Sequence, residues 1–167
     1  MAIKVEEVPR DASQATILLC SRLLTDFADW HVLQCEPWQA PPARPRDEAY
    51  VREVLADPEQ WLLLAFLEDK AVGIIHLSVH HTRDKPGWPD HDYGYIEAEW
   101  VRPVKRRQGV GKAMVEATKK HFRTLGIDSI ETNVWGWNTK SRALHEARGA
   151  QIKNINYVIW LEPDTRL

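Results

Sequence analysis

Tyr95-Ile-Glu-Ala-Glu-Trp-Val-Arg-Pro-Val-Lys-Arg-Arg-Gln-Gly-Val-Gly-Lys-Ala113 reads as a strand, a basic glycine turn and the start of a helix. Pro103 has no N–H to give to a ladder and marks the strand end. A glycine turn that opens a helix presents unpaired backbone N–H groups at the positive end of the helix dipole, an arrangement that suits a phosphate or pyrophosphate. Gly109 and Gly111 remove the side chains that would block a close backbone approach. Lys105, Arg106, Arg107 and Lys112 place positive charge around the same turn.

Two common phosphate patterns fail on this turn. The P-loop needs glycine at position 106 and Ser or Thr at position 113, where the chain has Arg106 and Ala113. The dinucleotide fingerprint needs a third glycine where Met114 stands. What remains, Arg106-Arg107-Gln108-Gly109-Val110-Gly111, matches Gln/Arg-x-x-Gly-x-Gly/Ala. Together with the Ile96-Glu97 strand and Val101-x-Pro103 in the same register, it resembles the acyl-CoA pyrophosphate loop of the GNAT superfamily of N-acyltransferases. Further on, Asn138-x-x-Ser141-x-x-Leu144-His145-Glu146-x-x-Gly149 is similar to a second motif of that family.

The resemblance implies acetyl-CoA as cosubstrate, with Arg106, Arg107, Gln108, Gly109, Val110, Gly111 and Lys112 forming its pyrophosphate loop. It also implies that Trp100 and Val101 lie where this strand splays from the next. There the pantetheine arm pairs with free backbone groups, and an N–H polarises the acyl carbonyl. Asn138 matches the residue that contacts pantetheine, and Ser141 the small residue near the CoA phosphates. His145 occupies the position of the tyrosine that commonly protonates the thiolate, so it is either that acid or a packing residue.

Acyl transfer from a thioester to an amine needs a base for the amine proton, stabilisation of the carbonyl oxygen, and a proton for the leaving thiolate. Glu97 and Glu99 stand two apart in a strand, so regular alternation puts them on one face, where they raise each other's pKa and attract a cationic amine. In the family a glutamate on this strand often acts as base, commonly through a water, and Glu97 matches its position. Glu99 stands where a large apolar residue is usual and is a second candidate, as base or amine ligand.

The 167 residues suit one domain, read as a single acetyltransferase domain over 1–167. A charged fraction of 28% with 44% apolar residues argues against disorder, and a net charge of −2 argues against general nucleic-acid binding. No apolar run approaches the ~18–20 residues of a membrane span, and the N-terminus lacks a signal-peptide core. Cys20 and Cys35 form no CxxC and read as reduced thiols of a cytoplasmic protein. With no Gly-x-Ser-x-Gly elbow and no motif around either cysteine, direct transfer is preferred to an acyl-enzyme.

Around the central stretch, residues 3–8 suit a first strand, and Asp11 with Gln14 resembles a capping box. A second helix is expected over 46–56, after the proline-rich loop 36–45. Strands follow over 61–67 and 71–79, joined by the short hairpin connection Glu68-Asp69-Lys70; 80–91 reads as a loop and 92–101 as a strand. Gly126 ends the helix after the glycine turn, 127–134 is a strand, Asn138 or Thr139 caps a short helix, and 151–161 forms a last strand. The order β-α-α-β-β-β-α-β-α-β is α/β or α+β, which the family refines to a mixed, mostly antiparallel sheet flanked by helices. The edge of the short last strand suits a homodimer.

Among the histidines, His80 and His81 point to opposite faces if the strand continues, and no spacing completes a metal site. Of the eight tryptophans, Trp30, Trp38, Trp135 and Trp137 are candidates for the acceptor cleft or for packing. The expected function is transfer of an acetyl group to the primary amine of a small molecule. The alternatives are a protein lysine or N-terminal acetyltransferase and a non-catalytic acyl-CoA-binding module.

Overall fold

The computed structural model of the protein describes residues 2–34 and 45–157, and five of its segments pair into one sheet. Strands β1 (Ile3–Glu7), β2 (Gln60–Leu67), β3 (Lys70–Thr82), β4 (His91–Val101) and β5 (Ile130–Thr132) lie side by side in chain order. β1 to β4 pair antiparallel, and β5 joins β4 in parallel. The sheet is thus mixed and mostly antiparallel. It belongs to the first of two units, Met1–Thr132 and Asn133–Leu167.

Helices α1 (Gln14–Gln34) and α2 (Glu48–Ala56) pack on one face of this sheet and α3 (Val110–Thr124) on the other. Strand alternation sorts the side chains between them. Leu62, Leu64, Ile74, Ala98 and Trp100 meet Leu23, Leu24, Val51 and Leu55 of α1 and α2. Leu63, Ala65, Ile75, Leu77 and Ile96 meet Val110, Met114 and Phe122 of α3. Each buried Val, Leu, Ile, Met or Phe among them contributes roughly 1.5–3 kcal/mol, so the two half-cores clamp the sheet. A Cβ on Gly94 would sit 2.6 Å from the Phe122 ring, so glycine there lets α3 seat its phenylalanine against β4.

Several boundaries differ from the sequence reading. Ser13, not Asp11, caps α1: its Oγ accepts the Thr16 N–H at 3.2 Å. β3 continues through Thr82, because His80↔Tyr93, His81↔Asp92 and Thr82↔His91 keep the ladder paired, and the expected loop shrinks to residues 83–90. Glu68 (φ 49°) and Asp69 (φ 61°) make the β2–β3 connection with two left-handed residues, a turn that matches strand twist. β5 is three residues long rather than the eight expected over 127–134. Residues 151–157 form no strand, and 158–161 lie outside the described residues, as do Cys35, Trp38 and most of the proline-rich loop. The homodimer edge was tied to that strand. No helix among the described residues is long and apolar enough to cross a membrane.

His76 of β3 is 4% exposed, with Nδ1 3.2 Å from the Tyr50 hydroxyl and Nε2 2.8 Å from Gln60 Oε1. Burial pushes its pKa from 6.5 down to about 4. In the pH window between those values the unfolded chain takes up a proton that the fold refuses. Stability is therefore full above about 6.5 and falls as pH drops towards 4, by roughly 2–3 kcal/mol at ~1.4 kcal/mol per unit. Denaturant melts at pH 7 and pH 5 should show this acid sensitivity reduced in His76→Asn, and an equal pH slope in both proteins would refute it. His81 works the other way: hydrogen bonds to Asp92 and Glu59 raise its pKa, so its contribution is lost as pH rises through that raised value.

Candidate active site

At the middle of β4 the strand carries one residue more than its neighbour. His76 pairs with Ala98 and Leu77 with Ile96, which leaves Glu97 unmatched. Such a β-bulge shifts the alternation by one position. Ile96 therefore packs on the α3 side, whereas Ala98 and Trp100 pack on the α1–α2 side. Glu97 goes with Ala98. Its Oε1 accepts a hydrogen bond from Ser78 Oγ at 2.7 Å and lies 3.0 Å from His80 Nε2. Ser78 and His80 alternate with His76 and share its face. Glu99, between Ala98 and Trp100, belongs to the α3 face. The expectation that the two carboxylates share a face is corrected: it assumed an unbroken pleat, and the bulge separates them.

Glu97 retains 35% of its side-chain surface and His80 39%, so this pair sits at an accessible position. The His80 ring is held between Tyr95 (centroids 4.7 Å apart, 24° between planes) and Tyr93 (5.5 Å). His80 thus turns to Glu97, while His81 turns to the opposite face, towards Asp92 (2.7 Å) and Glu59 (2.9 Å). Among the described residues no group of His, Cys, Asp and Glu is arranged to hold a metal ion.

Beyond the bulge, β4 loses its parallel neighbour, because β5 pairs only with Gly94, Tyr95 and Ile96. The Arg102 N–H donates to the Val72 carbonyl at 2.9 Å, which makes Val101↔Gly73 a non-hydrogen-bonded pair. The N–H and C=O of Val101 consequently point away from β3, to the side where β5 has ended. A 3₁₀ turn, Pro103–Lys105, follows, and then two left-handed residues, Arg107 (φ 64°) and Gly109 (φ 86°). Gly109 is the N-cap of α3 and brings no side-chain cap. The first bond of the helix runs from the Ala113 N–H to the Gly109 carbonyl at 3.1 Å. The N–H groups of Val110, Gly111 and Lys112 therefore have no partner within the helix and open from its positive end. Gly111 lies inside the helix, so the left-handed requirement falls on Gly109 alone of the two glycines.

Arg107, Gln108 and Lys112 are exposed around this N-terminus. Arg106 departs from the expected ring of charge. Its Nε donates to the Val101 carbonyl at 2.9 Å, and its guanidinium lies 4.7 Å from the Trp100 ring and 5.0 Å from Trp30. Trp30, offered from sequence for the acceptor cleft or for packing, packs on Trp100 at 5.6 Å and against the α1–α2 core.

In the second unit, α4 (Thr139–Glu146) begins at Asn138, whose side chain accepts the Ser141 N–H at 3.2 Å. Of the two candidate caps, Asn138 is the one used. Its side-chain carbonyl is engaged in that cap. His145 is half-buried in the last turn, and burial together with the Arg148 charge lowers its pKa. At neutral pH its imidazole is uncharged. Trp135 and Trp137 are 40% and 36% exposed in the turn before α4.

Sequence reasoning missed Ser78, Tyr93 and Tyr95 at this position and weighed His80 only as a metal ligand. A signal existed. His76, Ser78 and His80 are polar at every second position while Ile75, Leu77 and Val79 are apolar, and that alternation runs on past the expected strand end at Val79.

Residues 24–150 match the family described as the Acetyltransferase (GNAT) family. The chain belongs to that family and is an acetyltransferase. Aminoglycoside N(6')-acetyltransferase type 1 of Klebsiella aerogenes is 27% identical over 129 residues, 75% of this chain and 83% of that protein. A mutant of the BH1408 protein from Bacillus halodurans superposes with a TM-score of 0.79 at 18% identity, covering 95% of this chain and 99% of the other. AAC(6')-Iy, solved with the bisubstrate analogue CoA-S-monomethyl-acetylneamine, superposes with a TM-score of 0.74 at 16% identity, covering 98% and 99%. At those identities the two solved structures share the fold.

Proposed function

We propose that the protein, acting as one domain over residues 1–167, transfers an acetyl group from acetyl-CoA to the primary amine of a compact, cationic small molecule. The observation that carries this reading is Glu97, an accessible carboxylate fixed by Ser78 and His80 on the bulge of β4. It stands four residues before Val101, whose N–H faces the side that β5 leaves open. The open N–H groups of Val110, Gly111 and Lys112 fit a pyrophosphate, with Arg107 and Lys112 supplying charge. An aminoglycoside acetyltransferase among the relatives, and a neighbour solved with a CoA-linked aminoglycoside analogue, favour a small cationic acceptor.

In this mechanism Glu97, through a water, takes a proton from the ammonium. The neutral amine then attacks the thioester carbon. The Val101 N–H stabilises the carbonyl oxygen as charge develops on it. The C–N bond forms, the C–S bond breaks, and the thiolate takes the proton that the attacking nitrogen sheds. His145, uncharged at neutral pH, is assigned on its motif position to relay that proton, accepting on one ring nitrogen as it gives from the other, as Asn138 is assigned to pantetheine and Ser141 to the phosphates. Direct transfer is supported by Cys20, a buried free thiol whose pKa burial pushes up to about 12, so it offers no nucleophile. A reduced thiol also agrees with a cytoplasmic setting.

The test follows free thiol release from acetyl-CoA with an aminoglycoside, a linear polyamine, an amino-acid-derived diamine and a lysine peptide. Turnover with the small cations is the expected result. Turnover with the peptide alone makes the protein a protein acetyltransferase, and CoA binding without turnover on any amine makes it a binding module.

A further inference from the structure

Arg106 opens the Arg-x-x-Gly-x-Gly turn, where its charge alone suggests a phosphate ligand. The side chain runs the other way, back along β4. It donates from Nε to the Val101 carbonyl at 2.9 Å and lays its guanidinium against Trp100 of β4 and Trp30 of α1. Its partial burial lowers its pKa. A second tie, 4.0 Å between Arg102 and Asp26, joins the same end of β4 to α1.

We infer that Arg106 is a positioning residue for acetyl transfer: it fixes the Val101 backbone in the direction the thioester carbonyl needs and leaves phosphate binding to Arg107, Lys112 and the first turn of α3. This rests on the acetyl-CoA reading above. The peptide that carries the Val101 N–H lies between two points that Arg106 holds, the Trp100 side chain and the Val101 carbonyl. On this open side β5 supplies no ladder bond to hold the direction. Arginine suits the task because one planar group donates along the chain and stacks on indole, which a lysine ammonium does not do. An oxyanion donor acts only when it is aimed, and a displacement of about 1 Å can cost about a hundredfold in rate.

The test compares Arg106→Lys, Arg106→Met and Arg107→Met with wild type. CoA affinity is measured by calorimetry at low and high salt, and kcat and KM for acetyl-CoA by thiol release, on proteins with matched melting profiles. The expected result for Arg106→Lys is a kcat lower by about 10- to 100-fold. Its CoA Kd stays within about threefold of wild type, with the wild-type salt dependence. Arg106→Lys keeps the charge and the bulk of the stem, so it tests the direction of Val101 even where Arg106→Met fails to fold. Arg107→Met raises the CoA Kd and flattens its salt dependence. The inference is overturned if the Arg106 variants weaken CoA tenfold or more with flattened salt dependence at wild-type kcat, or if both constants stay at wild-type values. Absence of CoA binding by the wild-type protein overturns instead the acetyl-CoA reading itself.

Discussion

Glu97→Gln lowers turnover at saturating acetyl-CoA by about 10²–10⁴-fold, the usual range for removing a general base. CoA affinity stays near its wild-type value, because Glu97 is on the α1–α2 face of the bulge and the α3 N-terminus is on the other side of the sheet. The amide keeps the shape of the carboxylate and still accepts from Ser78, so the site is preserved while its proton acceptor is gone. The deficit shrinks at high pH, where the amine arrives already neutral. A deficit independent of pH would assign Glu97 to acceptor binding and sink its role as base. Full activity in Glu97→Gln combined with loss in Glu99→Gln would move the base to Glu99, on the opposite face of the strand.

Gly109→Val abolishes useful CoA binding, with an affinity loss of more than about 300-fold, or ~3.4 kcal/mol. Two effects add. Gly109 has φ 86°, a region that a β-branched residue adopts only under strain. The new side chain also rises at the N-cap, where the first N–H groups of α3 open, the place proposed for the pyrophosphate. On the inner side a Cβ would stand 3.4 Å from Ile3 Cδ1, an ordinary van der Waals contact, so the strain lies in the backbone rather than in a clash with the core. Gly111→Val meets a helical backbone instead, so it lacks the strain component and loses less. Calorimetric titration with CoA on proteins of matched melting temperature decides this. Affinity within threefold of wild type in Gly109→Val would show that the loop does not hold the pyrophosphate.

The glycine turn was legible in sequence because its chemistry is local. Gly109 and Gly111 declare backbone exposure, Pro103 declares a strand end, and the α3 stripe from Val110 to Phe122 declares a buried face. The β2–β3 hairpin was legible for the same reason, since the short Glu68-Asp69-Lys70 connection leaves its two strands few other pairings, whereas β1 reaches β2 only through α1 and α2 and nothing local records that pairing. The face assignment of Glu97 and Glu99 was not legible. A bulge depends on what β3 presents opposite, and nothing within Tyr95–Val101 records the extra residue. The direction of the Arg106 side chain was not legible, because composition gives its charge alone; its partners, Trp30 and Trp100, are 76 and 6 residues away in the chain. The continuation of β3 to Thr82 was hidden by the polarity of His80, His81 and Thr82, which suits a loop until Tyr93, Asp92 and His91 are found beside them.

The bulge has a practical consequence for trapping the enzyme with its ligands. Glu97 is the extra residue of β4, so the β3–β4 ladder does not depend on it, while its side chain supplies the proposed chemistry. On the proposed mechanism, substituting it removes the base and leaves Ala98, Trp100 and Val101 where they are. Deleting it would close the bulge and make Ile96 and Ala98 successive residues on opposite faces, so the two half-cores would keep their residues while the carboxylate and the local bend were lost. On the proposed mechanism the substituted protein is the form in which acetyl-CoA and an amine are held together unreacted, long enough for the acceptor to be seen in place.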